Sequence, residues 1–256
     1  MHLLEVKWLS KHFGGIKAVE DVSFKIMGGS ITSIIGPNGA GKTTLFNCLT
    51  GLSKQTKGTI MLSQRNITGL PPHAIVRLGI ARTFQNIKLF RQMSVLENVV
   101  VSQHSTMKGG FIDAVIRGSR FISEEKAARE KAREFLALLG LDHAAEVPSY
   151  NLPYGDQRRL EIARALATEP ILLLLDEPTA GMNPQETSGI MDLIKKLQML
   201  GKTTLLIEHD MKVVMGISET IIVLDHGVKI AEGPPEKIKN DSLVIEACLG
   251  RGAHTV

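Results

Sequence analysis

The stretch "GPNGAGKTT" sets Gly36, Pro37, Asn38, Gly39, Ala40, Gly41, Lys42, Thr43 and Thr44 between an apolar run, "ITSII", and a helical pattern, "LFNCLTG". It fits G-x-x-x-x-G-K-[ST]. Its glycines let backbone N–H groups turn inward around phosphate oxygens, where a Cβ would obstruct them. Lys42 is then placed to neutralise the outer phosphates, and the Thr43 hydroxyl to serve a Mg²⁺ ion. The run "ILLLLDEP" supplies the acidic side of the same chemistry. Asp176 ends an apolar strand and can hold Mg²⁺ directly or through water, while Glu177 points elsewhere and can polarise an attacking water. Alone, either motif is open to a plainer reading, a glycine-rich turn with an incidental lysine or a solvated strand end. Together they predict a site for a nucleoside triphosphate with Mg²⁺.

A third stretch, "LPYGDQRRLEIARAL", opens a helix at Tyr154, Gly155 and Asp156. A helix start carries unpaired N–H groups and a positive dipole end, so it can hold an anion, and Gly155 is expected to stand exposed there. Arg158 and Arg159 either reach outward to the same anion or face solvent.

These residues need a frame. Apolar, β-prone segments at Leu3–Trp8, Val22–Ile26, Ile31–Ile35, Thr59–Leu62, Ile171–Leu175, Thr203–Ile207, Ile221–Leu224 and Val228–Ala231 alternate with helical patterns. That alternation predicts an α/β fold with a largely parallel sheet; the N-terminal segments and the pair flanking "DHG" read as antiparallel hairpins. From about Asn86 to Asn151 the pattern turns helical. Ser123 reads as an N-cap, Ala128, Ala132, Phe135, Leu136 and Leu139 recur at helical spacing, and Gly140 is a stop.

Composition sets outer bounds. With 256 residues, 43% hydrophobic and 22% charged, the chain can bury a sizeable core and is not a disordered type. A net charge of +4 and a pI near 9.0 suit an anionic membrane surface or a nucleic acid equally. Cys48 and Cys248 lie far apart, and neither they nor the eight histidines show a metal-ligand spacing. A reducing compartment is the simplest expectation. No signal-peptide core is evident, and no purely apolar run is longer than Ile171–Leu175, far below the roughly 20 residues of a membrane span.

Three further features make the pattern specific. "LLIEHDM" carries His209 at a strand end, and "IARTFQNIKLF" carries Gln85 between core and helical insert; Phe13 in "KHFGGIKAV" lies upstream of the phosphate loop. With the stretch at 152–166, these make the chain resemble ABC-type ATPases from about Leu3 to Gly250. The likeness is strongest to the LivG-type ATP-binding subunits of branched-chain amino-acid importers, on "ARTFQNIKLFRQMSVLENV", "LPYGDQRRLEIARAL" and "LLIEHDMKVVMGIS". The resemblance implies a P-loop NTPase (RecA-like) core at 1–85 and 156–235, with an N-terminal antiparallel β subdomain. It further implies an α-helical subdomain at 86–155 and a C-terminal helical extension at 236–256.

It also assigns roles: Glu177, His209 and Gln85 to hydrolysis, Thr43, Gln85 and Asp176 to the metal, and Phe13 to the adenine. Tyr154, Gly155 and Asp156 would face the γ-phosphate of a partner subunit's ATP. Plainer readings stay open, with Gln85 and His209 as ordinary polar residues, Phe13 as a core cap and Cys48 as packing. The implied setting is the cytoplasmic face of a bacterial or archaeal plasma membrane. The implied partners are a second ATPase subunit, two permease subunits docking around Phe84–Asn98, and, indirectly, a periplasmic solute-binding protein. Two departures stand out. Where such proteins carry Leu-Ser-Gly-Gly-Gln this chain has Leu152-Pro153-Tyr154-Gly155-Asp156, and Asn183 replaces a usual aspartate, which points to a non-identical partner ATPase. The competing readings are an importer of urea, amides or another polar solute, an ABC ATPase acting on DNA or ribosomes, and a small-molecule kinase. The DNA type needs a long coiled-coil insert and the ribosome type two cores in one chain, both lacking here; no nucleic-acid partner is expected. A kinase would need a site for a second substrate and would not need the stretch at 152–166, Gln85 and His209 together.

Overall fold

The computed structural model describes residues 2–103 and 119–249; the stretches of the expected helical subdomain at 104–118 and of the C-terminal extension at 250–256 lie outside them. Two sheets form the frame. Strands β1 (His2–Phe13), β2 (Ile16–Met27), β4 (Lys57–Leu62) and β5 (Arg65–Asn66) make an antiparallel sheet in the order β2-β1-β4-β5. The second sheet combines β3 (Ile31–Ile35), β6 (Ile80–Arg82), β7 (Leu172–Asp176), β8 (Thr203–Ile207), β9 (Thr220–Asp225) and β10 (Val228–Gly233). Its order is β10-β9-β3-β8-β7-β6, parallel throughout except for the antiparallel β9–β10 hairpin.

The parallel sheet is covered on both faces, which is why its strands read as unbroken apolar runs. Along β7, Leu172 and Leu174 face one core with Leu45, Phe46 and Leu49 of α1 (Lys42–Leu49) and the antiparallel sheet. Leu173 and Leu175 face the other core, with Ile190, Ile194 and Leu197 of α6 (Pro184–Met199). The two-residue period therefore puts Asp176 on the α1 face, beside the helix that follows the phosphate loop.

The helical region packs on that second core. After α2 (Pro72–Arg77), helix α3 (Val95–Gln103) starts in a capping box, where the Ser94 Oγ accepts from the Glu97 N–H and the Glu97 carboxylate from the Ser94 N–H. Helix α4 runs Ser119–Leu138, so Ser123 lies inside it and is not its cap; a polar residue followed by two acids imitates a helix start. Gly140 does end it. At φ +72° it donates to the Ala137 carbonyl, and Leu141 donates to Leu136, the paired bonds of a Schellman motif. Ala128, Ala132, Leu136 and Leu139 are buried as their spacing predicts. Helix α5 (Tyr154–Leu166) then returns to the sheet, and the division expected between 155 and 156 falls within it. Among the described residues no helix is long and apolar enough to cross a membrane.

Asn183 has a local job. Its side chain caps α6, accepting from the N–H groups of Gln185 and Glu186 at 3.0 and 2.9 Å, and Glu186 reaches back to the Asn183 N–H. Asn183→Ala is expected to lower the unfolding free energy by about 1 kcal/mol. Asn183→Asp should hold it within about 0.5 kcal/mol, since a carboxylate accepts the same bonds at the positive helix end. Urea unfolding of the two variants separates the cases.

Candidate functional site

The phosphate loop leaves β3 and enters α1 through tightly confined glycines. A Cβ on Gly36 would stand 2.0 Å from the Leu224 carbonyl oxygen, and one on Gly41, at φ +94°, would stand 2.3 Å from that of Ala18. Gly39 has nothing within 4 Å, so the open side of the cradle is there. Lys42 is buried, and its ammonium donates to the carbonyls of Gly36 and Pro37 at 2.6 and 2.9 Å. Ala40 is buried, Pro37, Gly36, Gly41 and Thr44 are half-buried, and Asn38, Gly39 and Thr43 are exposed. The loop thus offers a cation, exposed backbone and one hydroxyl to a polyanion.

Asp176 is buried at the end of β7, and Glu177 takes φ +48°, a left-handed conformation that turns its carboxylate away from the strand direction. Glu177 Oε2 accepts from Gln85 Nε2 at 2.9 Å across 92 residues of sequence. The pairing of β6 with β7 makes this contact possible, because it lays the segment after Arg82 beside the end of β7. His209 is exposed and its backbone N–H donates to Glu208 at 3.2 Å. Phe13, at the tip of the β1–β2 hairpin, is 51% exposed, with the Lys11 ammonium 4.6 Å from its ring centroid. A bare aromatic face beside a cation can stack a base.

The signature stretch departs from expectation in two places. Gly155 is buried, not exposed: a Cβ there would meet Glu186 Oε1 at 3.0 Å, so the Glu186 side chain of α6 covers it. Arg158 neither faces solvent nor reaches outward. It is fully buried, donating to the carbonyls of Phe84 and Gln85 at 2.8 and 2.9 Å and to Glu161 at 2.9 Å. Burial pushes the Glu161 carboxyl above its ordinary value, opposed by the Phe84 N–H and by Arg158. Arg159 is half-buried near Asp156. Tyr154 is 45% exposed and its hydroxyl donates to the Ala180 carbonyl at 3.1 Å. The signature helix is thereby tied both to the glutamine segment and to the loop after Glu177.

Within Phe84–Asn98, Val95, Leu96 and Asn98 are buried, whereas Phe90 stays 47% exposed. The open surface is a cavity of about 420 Å³ lined by Val76, Phe84, Lys88, Phe90, Val101 and Arg164. Cys48 is buried, and that burial pushes its thiol up to about 11, which fits plain packing.

Three residues of the site carried no motif signal. Arg82 pairs with Asp176 at 2.6 Å. Glu208, fully buried, accepts from the Thr179 N–H and hydroxyl at 3.1 and 2.7 Å, anchoring the loop between Glu177 and Asn183. Glu161 joins Arg158 around Phe84. No sequence pattern could have found Arg82, because β6 is three residues long and only its pairing with β7 places Arg82 on the face of Asp176.

The donor set fits Mg²⁺ carried by phosphate. Among the described residues there is no cluster of three or more His, Cys, Asp or Glu that could hold a metal ion. One carboxylate, Asp176, with the Thr43 hydroxyl and the Gln85 amide nearby in the fold suits an ion that takes its other oxygens from the substrate and water.

Comparison with known proteins agrees with this geometry. Residues 19–180 match the ABC transporter family, and residues 228–254 match the branched-chain amino acid ATP-binding cassette transporter family. The chain is 49% identical to the high-affinity branched-chain amino acid transport ATP-binding protein LivG of Salmonella typhimurium, covering 97% of this chain and 98% of that protein. It is 47% identical to the BraF protein of Pseudomonas aeruginosa, likewise a high-affinity branched-chain amino acid transport ATP-binding protein, with the same coverage. A crystal structure of the ADP conformation of an ATP-binding cassette from an ABC transporter superposes with a TM-score of 0.86 at 33% identity, covering 98% of this chain and 99% of that one.

Proposed function

The chain belongs to the ABC transporter family of ATP-binding cassettes, and from that premise we propose that it hydrolyses ATP to drive an importer of branched-chain amino acids. The Gln85–Glu177 bond beside Asp176 carries the hydrolytic part of this reading, because it gathers a base and its orienting amide at the end of β7, the strand that turns Asp176 toward the α1 face. The similarity at 228–254 and the LivG and BraF relatives support the choice of solute.

In this reading, residues 1–85 and 156–235 form the nucleotide core, with 86–155 and 236–256 appended. Lys42 and the loop N–H groups bind the phosphates, and Phe13 stacks the adenine. Glu177 accepts the proton of the attacking water while Gln85 fixes its carboxylate, and His209 contacts the γ-phosphate. Thr43, Asp176 and Gln85 would hold Mg²⁺, which when bound would supply positive charge to the phosphates. The N-terminus of α5 serves the nucleotide of a second ATPase subunit. Pro153 offers neither hydroxyl nor N–H there, and Asn183 is spent on its own helix. Those two features support a non-identical partner with a fuller signature.

Two permease subunits, fed by a periplasmic binding protein, complete the machine at the cytoplasmic membrane face. The cavity around Phe84 and Phe90 receives a permease helix, since it is apolar, open and joined through Arg158 to Gln85. Turnover is expected to stay low for the chain alone and to rise when permease subunits and the partner ATPase are reconstituted with it in vesicles, together with leucine uptake. Full turnover by the isolated chain, or stimulation by DNA or ribosomes in place of permease, would refute this.

A further inference from the structure

We propose that Arg82 is a positioning residue for Asp176, setting that carboxylate for Mg²⁺-bound ATP and not for ATP alone; the proposal rests on the nucleotide reading above. Arg82 closes β6 opposite Leu174 of β7, so its side chain leaves the sheet on the face that carries Asp176 and α1. Its Nη2 donates to Asp176 Oδ2 at 2.6 Å, and its Nη1 to Asn47 Oδ1 at 2.7 Å. Asn47 belongs to α1, the helix whose first turn holds Lys42 and Thr43. The guanidinium also lies 5.4 Å from the ring centroid of Phe46 and 5.3 Å from that of Phe84, the residue before Gln85. One cation thus touches all three segments that would surround the metal.

The pair is not placed for stability. The two side chains are 6% and 5% exposed, and the buried Arg82 Nε has no hydrogen-bond partner among the described residues. A buried ion pair with an unsatisfied donor gains little over an apolar replacement. What it supplies is geometry. An aspartate at a strand end has several rotamers, and a fork that engages Oδ2 at one end and α1 at the other leaves a single one. Oδ1 is then the oxygen offered to the ion or its water. Mg²⁺ tolerates little deviation from octahedral geometry, so a carboxylate free to rotate would bind it worse. ATP without metal needs only Lys42 and the loop N–H groups.

The test compares ATP affinity of the full chain in Mg²⁺ and in EDTA by calorimetry. In Arg82→Gln the Mg²⁺-dependent gain in affinity should fall by about 10–100-fold, the usual effect of removing a residue that orients a ligand. Metal-free affinity should stay within about twofold. In an Asp176→Asn background the same substitution should cost nothing more, since it acts through that carboxylate. Equal losses in both conditions, or no loss in either, would overturn the proposal. If Arg82→Gln does not fold, Asn47→Ala removes the far arm of the fork and should lower the same gain, by less than the loss of the whole guanidinium would; an unchanged gain there overturns it too. Wild-type chain that binds no ATP in either condition would instead refute the nucleotide reading itself.

Discussion

Glu177→Gln is expected to slow ATP turnover by about 10²–10⁴-fold, the range of a lost general base, while ATP affinity stays within about twofold. The substitution is nearly isosteric, and the amide oxygen can still accept from Gln85 Nε2, which stands 2.9 Å from the native carboxylate. The left-handed backbone at this position, φ +48°, strains glutamine no more than glutamate. Lys42, Asp176 and the loop glycines are untouched. Only the ability to take a proton from water is lost. A single-turnover assay with the reconstituted transporter, paired with calorimetry on the same protein, separates chemistry from binding. Turnover that survives unchanged assigns the base elsewhere. An equal fall in affinity would mean that Glu177 shapes the pocket and not the reaction.

Much of the frame could be read from residues alone, for physical reasons. Ile31–Ile35 and Thr203–Ile207 agree at both ends because buried parallel strands need apolar residues on both faces, and the run stops where the backbone leaves the sheet. β1 extends beyond its expected end at Trp8 to Phe13 because Trp8 takes φ +50° in a register irregularity, so Leu9 and Ser10 are both buried and the alternation breaks. β5 and β6 span two and three residues, too few to show a period. That brevity also hid Arg82.

The site divides in the same way. Residues adjacent in sequence, such as 36–44 or Asp176 and Glu177, declare their chemistry through spacing. Contacts that depend on strand order do not: Gln85 meets Glu177 only because β6 lies beside β7. Arg158 shows a third case. Gly155, Arg158, Ile162 and Ala165 recur at helical spacing and are all buried, so the periodicity was legible. A guanidinium on such a stripe reads as a solvent-facing exception, however, because the carbonyls that satisfy it belong to Phe84 and Gln85, 74 and 73 residues away. The buried Gly155 depends on Glu186 in the same long-range way.

Lys42→Ala should act on binding where Glu177→Gln acts on chemistry. The ammonium is enclosed by the phosphate loop, gripping the Gly36 and Pro37 carbonyls at 2.6 and 2.9 Å. A phosphate oxygen about 4 Å from a unit positive charge gains about 4 kcal/mol at an effective dielectric of 20. Removing the charge also leaves those two carbonyl dipoles facing the polyanion without a cation between them. A loss near that size corresponds to about 10³-fold in affinity. Folding should be little affected, because Gly36 and Pro37 are half-buried and water can reach their carbonyls. Calorimetry on Lys42→Ala should therefore show ATP binding weakened by about three orders of magnitude beside an unchanged urea midpoint. Near-native affinity would show that the phosphates bind outside this loop. Because Lys42→Ala empties the site and Glu177→Gln leaves it full, leucine uptake should fail in both, and retained nucleotide should mark only the second.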